Sequence, residues 1–185
     1  MRIIGGAFRG RRLASVGKGD AGAQLRPTSD RVRESLFNIL ESGYGERLDG
    51  ARVLDVFAGT GALGLEALSR GAVHVTFIEQ GRPALKLLRE NIRICGAEDQ
   101  TQVIPRDARK PGPAPAPADL VFLDPPYGRG MGEKALDVLI ANGSLAPAAL
   151  IVWEESHPVT PPAAFALLDE RRYGDTVIRL FENQC

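Results

Sequence analysis

The chain has 185 residues, enough for one compact domain with a real core and too few for two full-sized ones. Its 23 basic and 23 acidic residues balance, which excludes a uniformly basic nucleic-acid coat and an acidic disordered tail. The balance hides an asymmetry: up to Arg33 there are eight basic residues against two acids, so the first segment carries an excess of six positive charges and the rest six negative.

Taken in chain order, residues 2–4 and 11–14 read as a small hairpin across Gly5-Gly6. Residues 17–22 are too Gly-rich and polar to be anything but a loop. A helix follows, capped by Thr28, Ser29 or Asp30. Val32, Leu36, Phe37 and Leu40 form its apolar stripe, Arg31, Arg33 and Glu34 fall mostly on the other side, and Gly43 and Gly45 end it. From Val53 onward, short apolar runs alternate with helical periods, the signature of βα units around a mainly parallel sheet. Strands are expected at 51–57, 73–78, 101–104, 120–123 and 150–153, with helices at 63–70, 83–95 and 133–141. Residues 110–118 hold four prolines and read as a surface loop. Beyond the Pro-rich turn at 158–162, residues 165–172 and 176–181 read as an antiparallel pair joined by Tyr173-Gly174-Asp175.

Four of the 23 basic residues are Lys, and Arg is the cation suited to bidentate phosphate contacts and stacking, a pointer toward nucleic acid. The start has no apolar signal region and no run of about eighteen apolar residues occurs, so a cytoplasmic protein without membrane contact is expected. Cys95 and Cys185 lack metal or disulfide-framework spacing and are expected to be reduced bystanders; no metal is expected.

Two constellations carry chemistry. In residues 53–64 a strand runs into Gly59-Thr60-Gly61 and then a helix, where glycines let a ligand approach the backbone and free N–H groups face it. Gly59, Gly61 and Gly64 alone satisfy a dinucleotide fingerprint, and Glu79, ending the next strand, can accept ribose hydroxyls, so a nucleoside-containing cofactor is implied. Asp55 tilts the choice: a carboxylate beside the turn repels a pyrophosphate and attracts a cofactor with an amino group and a sulfonium cation, favouring S-adenosylmethionine over NAD. The plain alternative is that Asp55 only hydrogen-bonds the turn and the glycines serve packing. The second constellation is Asp124-Pro125-Pro126-Tyr127, directly after an apolar strand. Two prolines remove two donors, so carbonyls and the carboxylate converge as acceptors suited to an exocyclic amine, beside an aromatic face that can stack on a base. Its plain alternative is a rigid turn with Tyr127 half packed.

Residues 55–61 together with Asp124-Pro125-Pro126-Tyr127 resemble S-adenosylmethionine-dependent amino methyltransferases. Arg2-Ile3-Ile4-Gly5-Gly6, Arg9-Gly10-Arg11, Arg26-Pro27-Thr28, the run from Arg31 to Asn38 and that from Gly64 to Ala72 narrow the likeness. Together they resemble the RsmD family, bacterial small-subunit ribosomal RNA guanine-N2 methyltransferases, from Arg2 to about Phe181.

That resemblance implies an α/β, Rossmann-like S-adenosylmethionine-dependent methyltransferase fold, a seven-stranded mainly parallel sheet with an N-terminal hairpin and helix extension. Residues 1–50 would be an RNA-facing extension and 51–185 the catalytic domain. The implied cofactor-binding residues are Asp55, Phe57, Ala58, Gly59, Thr60, Gly61, Glu79, Asp107 and Ala108: Asp55 on the methionine amino group, the glycine turn beneath the methionine part, Glu79 on the ribose, Asp107 on the adenine amine. Asp107 can equally be an exposed acid beside Arg106 and Arg109. Asp124 and the Pro125 carbonyl would grip the guanine amine, with Pro126 stiffening the turn and Tyr127 stacking on the flipped base. Arg9, Arg11, Arg12 and Arg26 would bind RNA, although a basic run is often a solvated edge. The implied partner is 16S rRNA in an assembled or partly assembled small ribosomal subunit, with no obligate protein partner evident. The reaction would be direct displacement, with Asp124 acting by orientation. Adenine N6, a glutamine amide, an NAD-dependent oxidoreductase and a non-catalytic nucleic-acid-binding protein of the same fold are the rivals.

Overall fold

The computed structural model describes residues 1–15, 29–112 and 116–184. The loop expected at 17–22 and Arg26 lie outside the described residues, as does part of the Pro-rich loop.

Seven strands form one mixed sheet: β1 (Arg52–Val56), β2 (His74–Ile78), β3 (Thr101–Ile104), β4 (Ala118–Leu123), β5 (Leu145–Glu155), β6 (Phe165–Tyr173) and β7 (Thr176–Asn183). Their spatial order is β3-β2-β1-β4-β5-β7-β6. The pairs from β3 to β5 are parallel, and β7 runs antiparallel to both β5 and β6. The helices are α1 (Asp30–Tyr44), α2 (Ala62–Ser69), α3 (Arg82–Cys95) and α4 (Met131–Ala141). None of the described helices is long and apolar enough to cross a membrane.

Strand alternation sorts the core into two layers. Val53, Val75, Phe77, Leu120, Phe122 and Val152 pack with α1, α2 and α3 on one face, whereas Leu54, Val56, Ile78, Val121, Leu123 and Trp153 pack with α4 on the other. The central strands are apolar on both sides because both faces are covered. The elements expected from sequence are found within one or two residues at most ends, β4 starting at Ala118, α4 at Met131 and β7 running on to Asn183; the largest extension is in β5, which starts five residues earlier than residue 150 and runs on to Glu155. At the last hairpin Tyr173 pairs with Thr176, so the turn narrows to Gly174-Asp175.

The N-terminal segment shares the first core layer: Ile3, Leu13, Leu36, Phe37 and Leu40 belong to the same cluster as Val53 and Leu65. Ser29 is the helix cap, its hydroxyl accepting from the Val32 N–H at 3.3 Å. The hairpin has one antiparallel bridge, Arg2 to Arg12, and its connection is longer than Gly5-Gly6. Those glycines instead press the backbone against α2, where a Cβ on Gly6 would stand 1.6 Å from the Ser69 carbonyl oxygen.

Arg33 corrects the sequence expectation. It is 0% exposed rather than turned outward. Glu66 on α2, equally buried, faces its Nε at 3.6 Å, while Asp30 and the Arg2 carbonyl accept from its Nη2. Glu66 also accepts the Ile4 and Gly5 N–H groups and Arg70 Nε, each at 2.8 Å. A buried carboxylate thus fastens the hairpin to α2, a contact that helical periodicity alone cannot show.

Candidate active site

The ends of β1, β2, β4 and β5 meet at the C-terminal edge of the parallel strands, where open α/β sheets bind ligands. β1 breaks at Phe57, whose φ of 63° lies in the left-handed region. Gly61, with φ of 78°, caps α2 and donates its N–H to the Ala58 carbonyl at 2.7 Å, while the Ala58 N–H donates to Ile78 at 3.0 Å. A Cβ on Gly64 would stand 2.5 Å from Phe77, so this glycine serves close packing of α2 on β2.

Asp55 is 2% exposed, and its carboxylate accepts the Gly64 N–H at 2.9 Å. Burial pushes its pKa up to about 7, the Gly64 donor opposing and the charge of Glu79 reinforcing the shift. Glu79 is fixed by three backbone donors: Gly59 N–H reaches one carboxylate oxygen at 2.8 Å, and Gln80 and Gly81 N–H reach the other at 2.9 and 2.6 Å. A carboxylate offers about four acceptor positions, so one remains for a ligand hydroxyl without displacing the protein's own bonds. Thr60 is held from behind. Its carbonyl accepts from Asn91 Nδ2 at 2.9 Å, and the same buried amide joins Ala14 in both directions at 2.7 and 3.1 Å.

Asp107, just beyond β3, is paired with Arg109. Its Oδ1 accepts the Arg109 N–H at 2.9 Å and its Oδ2 accepts from the guanidinium at 2.6 Å, which holds the carboxyl below its ordinary value. Ala108 beside it is buried in the α4 layer.

The turn Asp124-Pro125-Pro126-Tyr127 continues β4, with the Asp124 N–H donating to Val56 at 3.4 Å. Burial raises the Asp124 carboxyl well above its usual range, and the charges of Glu154, Asp55 and Glu155 add to it. Tyr127 donates its hydroxyl to Glu154 at 2.8 Å and meets Thr176 Oγ1 at 3.2 Å. Burial, with the carboxylates nearby, raises its phenol pKa further. The Gly128 N–H reaches both Glu155 oxygens at 3.3 Å. Sequence reasoning overlooks Glu154 and Glu155, which are 8% and 6% exposed. The signal that could have found them is the one that singles out Asp124: a carboxylate directly after an apolar strand at the ligand-binding edge. Asp55, Asp124 and Glu154 therefore gather in a buried acidic cluster beside the glycine turn, a site electrostatically suited to a cation.

Arg9, Arg11 and Arg12 are exposed on the hairpin. Arg11 is already engaged, its Nη1 donating to the Ile94 carbonyl at 3.0 Å and its guanidinium lying 4.9 Å from the Phe8 ring centroid. A cavity of about 380 Å³ lined by Arg47, Asp49, Asp119 and Ala148 opens at the opposite edge of the sheet and shares no residue with the acidic cluster.

Residues 1–182 match the family described as "Conserved hypothetical protein 95". "Ribosomal RNA small subunit methyltransferase D" of Escherichia coli (strain K12) is 40% identical across 100% of this chain and 91% of its own length. The protein of that name from Haemophilus influenzae is 38% identical across 99% of this chain and 94% of its own. The solved structure titled "Putative methyltransferase yhhF from Escherichia coli" superposes with a TM-score of 0.85 at 40% identity, covering 100% of this chain and 98% of that one. With a match spanning nearly its whole length, the chain belongs to this family, the RsmD family that its motifs resemble.

Proposed function

We propose that the chain is an S-adenosylmethionine-dependent methyltransferase of small-subunit ribosomal RNA, acting on the exocyclic N2 of a guanine in assembled or partly assembled subunits. The observation carrying this reading is the convergence of the Asp124–Tyr127 turn and the Gly59–Gly61 turn around a buried acidic cluster. Membership of the family and the names of its relatives support the ribosomal part.

The residues present fit the cofactor. Two carboxyls raised by burial and by the charges of neighbouring carboxylates, Glu79 for Asp55 and Glu154, Asp55 and Glu155 for Asp124, are relieved by an ammonium or sulfonium cation, and both occur in S-adenosylmethionine. When bound, that cofactor supplies an electrophilic methyl group. Asp55 would hold its amino group, with Phe57, Ala58, Gly59, Thr60 and Gly61 shaping the bed beneath the methionine part. Glu79 would take a ribose hydroxyl on its free acceptor position. Asp107 and Ala108 would meet the adenine, which requires Arg109 to release Asp107; the pair is partly exposed, so the exchange costs little.

Asp124 and the Pro125 carbonyl would accept the two hydrogens of the base amine and aim its nitrogen, whose lone pair is otherwise delocalised into the ring. Asp124 accepts most strongly as a carboxylate, with no donor of its own, so a cation nearby also sets it in its working form. Pro126 stiffens the turn, and Tyr127, tethered by Glu154 and Thr176, presents a fixed ring for stacking. The amine proton leaves to solvent. Arg9, Arg12 and Arg26, with the already engaged Arg11, would bind phosphate from the extension formed by residues 1–50, against the catalytic unit of 51–185.

Transfer of labelled methyl from S-adenosylmethionine to small subunits lacking the modification, followed by nucleoside analysis, tests the reading. N2-methylguanosine is expected, and Asp124→Ala should abolish transfer while cofactor binding persists. Label in adenine or in a protein amide, or undiminished transfer by Asp124→Ala, would overturn it.

A further inference from the structure

The outer face of α3 carries cations that the proposed chemistry does not use. Arg82, Lys86, Arg89 and Arg93 follow at intervals of four, three and four residues, which at 3.6 residues per turn places all four in one stripe. All four are exposed, and Leu85, Leu88, Ile92 and Cys95 fill the buried side. Among the described residues, none of the four takes part in an ion pair.

Helix stability accounts for Arg93, in the last turn of α3, but not for the rest of the stripe. Cations near a helix N-terminus oppose its dipole, yet α3 opens on Arg82 with no acid in its first turn. Its single acid, Glu90, stands four residues after Lys86, the less favourable order for such a pair.

The stripe is continuous with the N-terminal hairpin and with the candidate site. Arg11 donates to the carbonyl of Ile94 in the last turn of α3, so the hairpin arginines meet the helix at that end. At the other end, Arg82 follows by three residues Glu79, whose carboxylate accepts the Gly59 N–H of the glycine turn. From Arg82 to Arg93 the stripe spans about 16 Å along the helix axis. Residues 1–15 hold four arginines and no acid, and α3 adds four cations against one acid, an excess of seven on a chain whose formal charge is zero. α3 has no aromatic residue to anchor a protein partner.

We infer that the exposed face of α3 is a phosphate-binding track that carries the backbone of structured RNA from the hairpin to the rim of the site. The inference rests on the reading of the substrate as RNA.

The test is anisotropy titration of labelled small-subunit ribosomal RNA with the full chain over a range of KCl concentrations. Arg89→Ala combined with Arg93→Ala should weaken binding and lower the slope of log K against log[salt] by about 1.5, at roughly 0.7–0.9 for each phosphate no longer neutralised. Arg89→Lys with Arg93→Lys should keep the slope, and Arg172→Ala, exposed on β6 at the far end of the sheet, should leave it unchanged. Cofactor titration should be the same for all variants. An unchanged slope in the double alanine variant, an equal fall for Arg172→Ala, or a wild-type chain that does not bind this RNA would overturn the track. Salt-dependent binding that responds as expected, in a protein that transfers no methyl to RNA, would sink the proposed reaction and leave the track standing.

Discussion

Replacing Glu66 by alanine removes the carboxylate that joins the N-terminal hairpin to α2. The side chain is fully buried and accepts the Ile4 and Gly5 N–H groups and Arg70 Nε at 2.8 Å, with Arg33 Nε at 3.6 Å. Its loss leaves the guanidinium of Arg33, 0% exposed, with Asp30 as its remaining carboxylate, so this part costs less than the roughly 3–5 kcal/mol of a buried charge left wholly unpaired. Two backbone donors also lose their acceptor, at roughly 1–3 kcal/mol each where water cannot replace it. These costs do not simply add, because detachment of the hairpin readmits water to both. The expected loss is therefore about 3–5 kcal/mol, a large share of a domain stability of roughly 5–15 kcal/mol. Urea unfolding measures it, and limited trypsin digestion at Arg9, Arg11 and Arg12 reports whether the hairpin has come free. Glu66→Gln, which keeps the shape and one acceptor, should lose about half as much. A loss below about 1 kcal/mol for Glu66→Ala, with the hairpin still resistant to trypsin, would refute the role given to this carboxylate.

Asp55 makes stability depend on pH. Its pKa is about 7 in the folded chain against 3.8 for a free aspartate, so between those values the folded state holds a proton that the unfolded state releases. The associated stability is present in full below about pH 4 and lost as pH rises through 7, a change on the order of 4 kcal/mol. Urea midpoints at pH 5 and pH 8 should differ less for Asp55→Asn than for the wild type; equal differences would contradict this account. By the same linkage, affinity for S-adenosylmethionine should rise from pH 5 to pH 8 in the wild type, and a flat calorimetric profile would argue that no cation meets this carboxyl. Tyr127→Phe removes the hydroxyl bonds to Glu154 and Thr176 and should slow methyl transfer about tenfold, roughly 1.4 kcal/mol, with cofactor Kd unchanged. Unaltered kcat and KM would mean that the tether does not position the ring.

Much of the molecule is readable from residue order. Period-two and period-3.6 patterns are local, so all seven strands and four helices can be placed within a few residues. The two turns are legible because glycine and proline write backbone constraints directly into the sequence. The apolar run at 150–153 understates its strand: β5 extends to Glu155, and its two terminal acids join the site announced only by their place directly after an apolar run.

Features that depend on partners far along the chain are a different matter. Arg33 is buried because Glu66, 33 residues later, lies opposite it, and helical spacing could only assign it to the polar face. Tyr127 meets Glu154, 27 residues later, a pairing that a motif does not specify. The pKa of Asp55 comes from burial and from Glu79 on a neighbouring strand. Residue order was enough for the elements, their βα alternation and the two turns, since each is set by the backbone preferences of adjacent residues. Which charges are buried and which are paired was settled only when the strands assembled, because burial and electrostatics depend on distance in space.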